Sequence, residues 1–358
     1  MEELVTSHTF PPRTAIYVKD LRQSVPILLD GPLERAQFPP LLSAFIGLIV
    51  AFLLFQGVST VFLLLATMQG GIALTDLLTP EGLSDFLADN ADTVIWANTI
   101  GQLLGLLIPA LLITRLHSSS VRSFIRFRPA SGRDLIWSAV GLLGMIPLVH
   151  FSAGFSDSLP WPEWVRSLED GQMELIEQIL IQDFSLVFAV SMLALTPAIC
   201  EEVLFRGYIQ RQAERSIGAW GGILFSGIIF GLYHLRLTQA IPLSMLGIFM
   251  AWLTWQTRSL WPAILVHLMN NTFAAVLGKS FSESESGLDM EEFTFPWWVI
   301  LTAALVLGAA ITMLRKSRLP QEDSETATSH TADHTRASEV FMEDGTEKNG
   351  LNEQGGAA

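Results

Sequence analysis

Two adjacent glutamates and an arginine stand against a long apolar run in the stretch TPAICEEVLFRGY, residues 196–208. An ionisable side chain at membrane depth costs at least about 2.5–3.5 kcal/mol on insertion scales, so each needs a partner or a task. On a helix four residues turn about 400°, which sets Glu202 over Arg206 in the favourable acid-before-base order, while Glu201, about 500° from Arg206, points elsewhere. Glu202 and Arg206 are expected to neutralise each other and leave Glu201 free. Two further pairs, Phe230 with His234 and His267 with Asn271, fall in later apolar segments, each pair four residues apart and so on one helical face. A free carboxyl in a low-dielectric setting titrates nearer neutrality, and with two imidazoles it makes the ingredients for activating water. Taken singly, a salt-bridged helix end and histidines that hydrogen-bond between helices account for the same residues.

The chain that must position these groups reads as a membrane protein. Half of its 358 residues are apolar and only 16% are charged, with a mean hydropathy of +0.42, which excludes an ordinary soluble domain. Eight segments approach the roughly 20 residues needed to cross hydrocarbon: 41–68, 93–114, 135–151, 184–200 with an extension to 208, 217–234, 240–255, 260–277 and 297–314. The expected fold is an all-α, polytopic membrane helix bundle. Its parts are a cytoplasmic N-terminal arm (1–39), N-terminal transmembrane helices and loops (40–183), a core carrying the three motifs (184–278), a loop with the last transmembrane helix (279–318), and a disordered acidic tail (319–358) too poor in apolar residues to offset its ordering entropy.

Charge between the segments supports that count. The first loop carries Asp76, Glu81 and Asp85 without Lys or Arg, the second carries Arg115, Arg122, Arg126, Arg128 and Arg133, the third is acidic apart from Arg166, and the fourth has Arg206, Arg211 and Arg215. Arg236 goes against this alternation and Arg258 agrees with it; the pattern puts both termini in the cytoplasm, in the inner membrane if the host is bacterial, and no cleavable signal peptide is expected. The net charge of −14 lies mostly in loops and tail; the expected partners are membrane lipid and a membrane-associated peptide or protein, and no nucleic acid. Cys200 excludes an intramolecular disulfide and reads as a small apolar residue. Pro109, Pro147, Pro197 and Pro242 are expected to kink their spans, Pro197 aiming Glu201. Asn98 and Gln102 share a face suited to hydrogen bonds between helices, and Ser226 suits close helix packing. No Asp lies in an apolar segment and no His-Glu-x-x-His occurs, which removes the paired-aspartate and usual zinc-helix proteases.

One geometric difficulty stands. At a rise of about 1.5 Å per residue, Glu201 lies about 26 Å down from Phe184 and His234 about 26 Å up from Ile217. Tilt, a kink at Pro197, or a fifth helix that starts below the bilayer is required to bring them level.

In order and in separate spans, Glu201-Glu202-x-x-x-Arg206, Phe230-x-x-x-His234 and His267-x-x-x-Asn271 resemble the three signatures of the CAAX protease and bacteriocin-processing (CPBP) intramembrane proteases, relatives of the prenyl-protein endopeptidase. The resemblance covers roughly residues 190–278. It implies peptide-bond hydrolysis inside the membrane, on a prenylated or bacteriocin-like peptide, with Glu201, Glu202, Arg206, His234, His267 and Asn271 as the catalytic set. In a metal version Glu201, His234 and His267 resemble a set of zinc ligands with water in the fourth position, and family naming tilts toward it. In a metal-free version Glu201 takes the proton from water held by His234, while His267 and Asn271 donate to the oxyanion. A catalytically silent membrane scaffold or immunity protein, and less so a transporter, are the rival readings; the absence of an internal repeat argues against the last.

Overall fold

The computed structural model describes residues 16–18, 27–69, 79, 82, 86, 89–182, 184–282 and 295–316. Two compact units are Met1–Leu314 and Arg315–Ala358, and the first holds everything below. The predicted tail, much of the N-terminal arm and residues 283–294 lie outside the described residues.

Strands β1 (Ile16–Val18) and β2 (Ile27–Leu29) pair antiparallel. The long helices follow: α1 (Pro40–Gln69), α2 (Ala91–His117), α3 (Gly132–Asp157), α4 (Glu163–Ile181), a bent helix Leu186–Tyr233 with arms α5 (186–216) and α6 (219–233), α7 (Ala240–Thr257), α8 (Trp261–Ser282) and α9 (Trp297–Lys316). Five stretches among the described residues are long and apolar enough to cross a membrane, and Leu186–Tyr233, at 48 residues, contains two of the expected spans. With α7 and the shorter apolar Trp261–Leu277, every predicted span is helical. The fold is a polytopic α-helical membrane bundle.

Two loops of the sequence reading are helix instead. The acidic third loop forms α4, whose Glu169 is buried and accepts hydrogen bonds from the Thr238 amide, 3.1 Å away, and hydroxyl, so that α4 grips the turn after His234. The fourth helix runs on through Arg211, Glu214 and Arg215 because their charges are paired, Arg211 with Glu214 itself at 3.6 Å and the other two with distant residues. Arg126 NH1 lies 3.1 Å from Glu214 Oε1 and donates to Oε2 as well. Arg215 forks onto Glu34 at 2.8 and 2.7 Å.

The reversal comes at Ile217 and Gly218. Gly218 adopts φ 77°, a left-handed value that a side chain would make costly, and the chain turns back on itself. The cross-arm pairs are nearly symmetric about Gly218: Gly222 lies against Glu214, Ser226 Oγ donates to the Phe205 carbonyl at 3.1 Å, and the Phe205 ring meets Phe230 at 5.3 Å and Tyr233 at 5.2 Å. Arms of equal length from one bend bring Glu201 and His234 to the same level. That removes the depth difficulty, because the fourth helix continues about eight residues further than the apolar run suggests. Close approach continues to α7, where a Cβ on Gly227 would lie 2.5 Å from the Ile248 amide nitrogen.

Prolines act individually. Pro109 and Pro197 each follow a π-helical stretch, Gln102–Leu107 and Val190–Leu195, whose wider turn relieves the clash of a proline ring with the carbonyl four residues back. Pro147 stands inside an unbroken α3. Pro242, expected to kink its span, lies in the first turn of α7, where its missing N–H has no helical partner to lose.

Candidate active site

Glu202 lies on α5 just before the π-helical stretch Val203–Ile209. Arg206 NH1 donates to its Oε1 at 2.8 Å, and both side chains are wholly buried. The spacing therefore does what a helix of alternating faces requires. Unforeseen is a second claimant: His267 Nδ1 on α8 lies 2.9 Å from the same oxygen. Arg206 NH2 also reaches the Gly247 carbonyl on α7 at 3.2 Å, so the Glu202–Arg206 pair ties α5, α7 and α8 together.

The Phe230 ring is the hub of the histidines. It meets the His234 ring edge-on at 4.8 Å and the His267 ring at 5.7 Å, with the Arg206 guanidinium 4.3 Å from its centroid. That is a cation–π contact in a dry setting. The second motif thus gathers the other two through its phenylalanine.

Hydrogen bonds decide which imidazole nitrogens remain available. His234 Nδ1 lies 2.8 Å from the Phe230 carbonyl, which can only accept, so Nδ1 carries the proton and the neutral ring keeps a lone pair on Nε2. Facing a carboxylate, His267 Nδ1 is a donor by the same logic, and its Nε2 lone pair is likewise free in the neutral ring.

Glu201 is 8% exposed and its Oε2 is buried with no hydrogen-bond partner. This is the free carboxylate that the helical spacing predicts. Asn271 is turned to another task. Pro197 has no N–H to offer the Leu193 carbonyl four residues back, and Asn271 Nδ2 faces that oxygen at 3.4 Å. Its amide oxygen accepts from Asn270 at 3.3 Å. The His267 Nδ1–H and one of the two Asn271 N–H groups are thus directed at Glu202 and Leu193.

Among the described residues no three His, Cys, Asp or Glu side chains group as a metal site, so Glu201, His234 and His267 do not form the zinc-ligand set of the metal version. The residues as arranged do not fit that ion, and no step below is routed through one. Gln102, expected to bond between helices, keeps its buried Oε1 without a partner. Cys200 and Ser226 are buried as expected.

A second polar cluster escaped the sequence reading. Ser43 Oγ lies 2.7 Å from both His117 Nε2 and the Tyr208 hydroxyl, and His117 Nδ1 lies 2.6 Å from Glu34 Oε1. With Arg215 on Glu34 it locks the turn Pro32–Arg35 and the start of α1 to α5. Ser43 and His117 are sealed, at 3% and 0% exposure, so this chain of bonds is a brace. Its members are too far apart in sequence for any spacing to reveal it.

Comparison with known proteins matches residues 183–273 to the family described as Type II CAAX prenyl endopeptidase Rce1-like, and all three motifs lie inside that range. A Bacillus subtilis (strain 168) protein named "Putative membrane peptidase YdiL" is 27% identical over 146 residues, 41% of this chain, and the chain spans 57% of that relative's length. No solved structure gives a significant match. The motifs, the helices that carry them and the matched segment agree in making residues 183–273 similar to the CPBP family of membrane proteases.

Proposed function

We propose that the protein is an intramembrane endopeptidase of the glutamate type, hydrolysing peptide bonds of membrane-associated peptides. The carrying observation is the isolation of Glu201: its Oε2 is buried and unmatched, whereas Glu202, whose Oε2 is unmatched too, has its Oε1 taken up by Arg206 and His267. Water donates one hydrogen to Glu201 and the other to the bare Nε2 of His234. Glu201 takes the proton as the water oxygen adds to the scissile carbonyl carbon. When the C–N bond breaks, the protonated Glu201 gives that proton to the leaving nitrogen and returns to carboxylate, leaving a new carboxyl and a new amine. Glu202 and Arg206 act as positioning residues for His267.

The family description supports a prenylated peptide as substrate class, and the alternation of basic loops supports cytoplasmic termini. The test is cleavage of a lipid-modified peptide and its unmodified counterpart by purified protein in vesicles, read by mass spectrometry. Wild type is expected to cleave and Glu201→Ala to be inactive at equal expression. Cleavage by Glu201→Ala at the wild-type rate would overturn the proposal. Activity should also survive chelation with no metal in the purified sample; activity lost on chelation and restored by zinc would end the metal-free form.

A further inference from the structure

We infer that the Tyr233 hydroxyl is a hydrogen-bond donor to the scissile carbonyl oxygen, in addition to the groups of the three motifs; the inference rests on the hydrolase reading above. Water addition puts negative charge on that oxygen, and preorganised donors aimed at it commonly supply a large share of the rate. The donors that the motifs offer are in part committed elsewhere. His267 gives its Nδ1–H to Glu202 and in the neutral ring presents a lone pair at Nε2, His234 likewise gives Nδ1–H to Phe230, and one of the two Asn271 N–H groups faces the Leu193 carbonyl.

Tyr233 stands next to His234, and its hydroxyl is buried with no partner. A buried tyrosine hydroxyl ordinarily finds one, so the exception calls for a missing group. Its ring is fixed edge-on between Phe205 at 5.2 Å and Phe52 at 5.6 Å, which orients the O–H without satisfying it. Phe205 follows Glu201 by four residues on α5, so Tyr233 packs on the side of the hairpin that carries the general base. An unmatched acceptor, Glu201 Oε2, and an unmatched donor, Tyr233 O–H, thus come from the two arms of one bend. A water and a carbonyl oxygen satisfy both. The phenol keeps its proton throughout, strengthening its hydrogen bond as the carbonyl oxygen gains charge and weakening it when the carbonyl reforms.

Tyr233→Phe deletes the hydroxyl and keeps the ring packing. Using the peptide substrate of the previous section, kcat should fall about 100-fold, with KM within about twofold, because the bond strengthens only in the transition state. A peptide aldehyde, whose hydrate mimics the tetrahedral species, should lose affinity for the variant, whereas a reduced-amide peptide that lacks the carbonyl oxygen should bind both forms equally. Wild-type kcat in Tyr233→Phe beside an inactive Glu201→Ala would overturn this inference and leave the hydrolase reading standing; an active Glu201→Ala would remove both. A fall in kcat that tracks a lowered melting temperature, with both inhibitors weakened alike, would make the hydroxyl structural and overturn the inference too.

Discussion

Substitutions at Glu202 separate holding the site together from doing its chemistry. One oxygen of Glu202 serves Arg206 at 2.8 Å and His267 at 2.9 Å, in a setting where Glu202 and Arg206 are both 0% exposed. Removing one partner of such a pair leaves the other charge uncompensated, and Glu202→Ala should destabilise the fold by about 3–5 kcal/mol. Glu202→Gln keeps an acceptor at the same place for both donors but forfeits the charge assistance, which amounts to about 1 kcal/mol per bond, so about 2 kcal/mol should be lost. Adding Arg206→Met to Glu202→Ala removes the stranded guanidinium and should recover much of the loss. Unfolding in mixed detergent measures all three. Activity should order them differently: Glu202→Gln still holds His267 and should keep kcat within about tenfold, whereas Glu201→Gln, which deletes the base, should lose at least about 100-fold, or about 2.7 kcal/mol of transition-state stabilisation. If the double variant is as unstable as the sum of its singles, the pair is uncoupled. If Glu202→Gln is as inactive as Glu201→Gln, the division of labour between the two glutamates is wrong.

Gly218→Ala meets no neighbour within 4 Å, so its cost should be the left-handed backbone alone, about 1–2 kcal/mol, with a matching drop in thermal stability. Burial pushes the Glu34 carboxyl up, but hydrogen bonds from His117 and Arg215 outweigh it and hold the group below its ordinary 4.5. A depressed carboxylate stabilises the fold above its unfolded value, so the advantage of wild type over Glu34→Gln should be full above pH 4.5 and fade as pH falls below it, as read from unfolding at a series of pH values. Asn271→Leu should strand the Leu193 carbonyl, cost about 1–3 kcal/mol, and raise hydrogen exchange around residues 190–197.

What the sequence made legible divides along a physical line between contacts within one helix and contacts between helices. The pairing of Glu202 with Arg206 and the release of Glu201 follow from four residues turning about 400°, and the coordinates agree. The partner of His267 could not follow, because whether its Nδ1 meets Glu201 or Glu202 depends on the register of α8 against α5, which no local pattern encodes. The bend was misplaced for a related reason: RQAERS reads as a loop only while its charges lack partners, and those partners, Glu34 and Arg126, lie far off in sequence. Tyr233 carries no sequence signal at all, being an aromatic residue in an apolar run until its hydroxyl is found buried and unmatched.

Asn271 shows how far this reasoning reaches when the backbone is included in it. From the sequence, Pro197 is a kink that aims Glu201 and Asn271 an oxyanion donor, two separate features of two spans. A proline also strands the carbonyl four residues before it, and at membrane depth that oxygen must be satisfied by protein. The side chain that faces it is Asn271, at 3.4 Å. The third motif therefore anchors α8 to the kinked helix from one face of its turn, while His267, one turn earlier, anchors it to Glu202. Two bonds from one helix to the same neighbour fix both its depth and its rotation, which holds Glu201 free of partners at the level that α6 gives to His234 and Tyr233. A helix pinned at only one of these points would be free to rotate, and the base would gain a local partner in place of water.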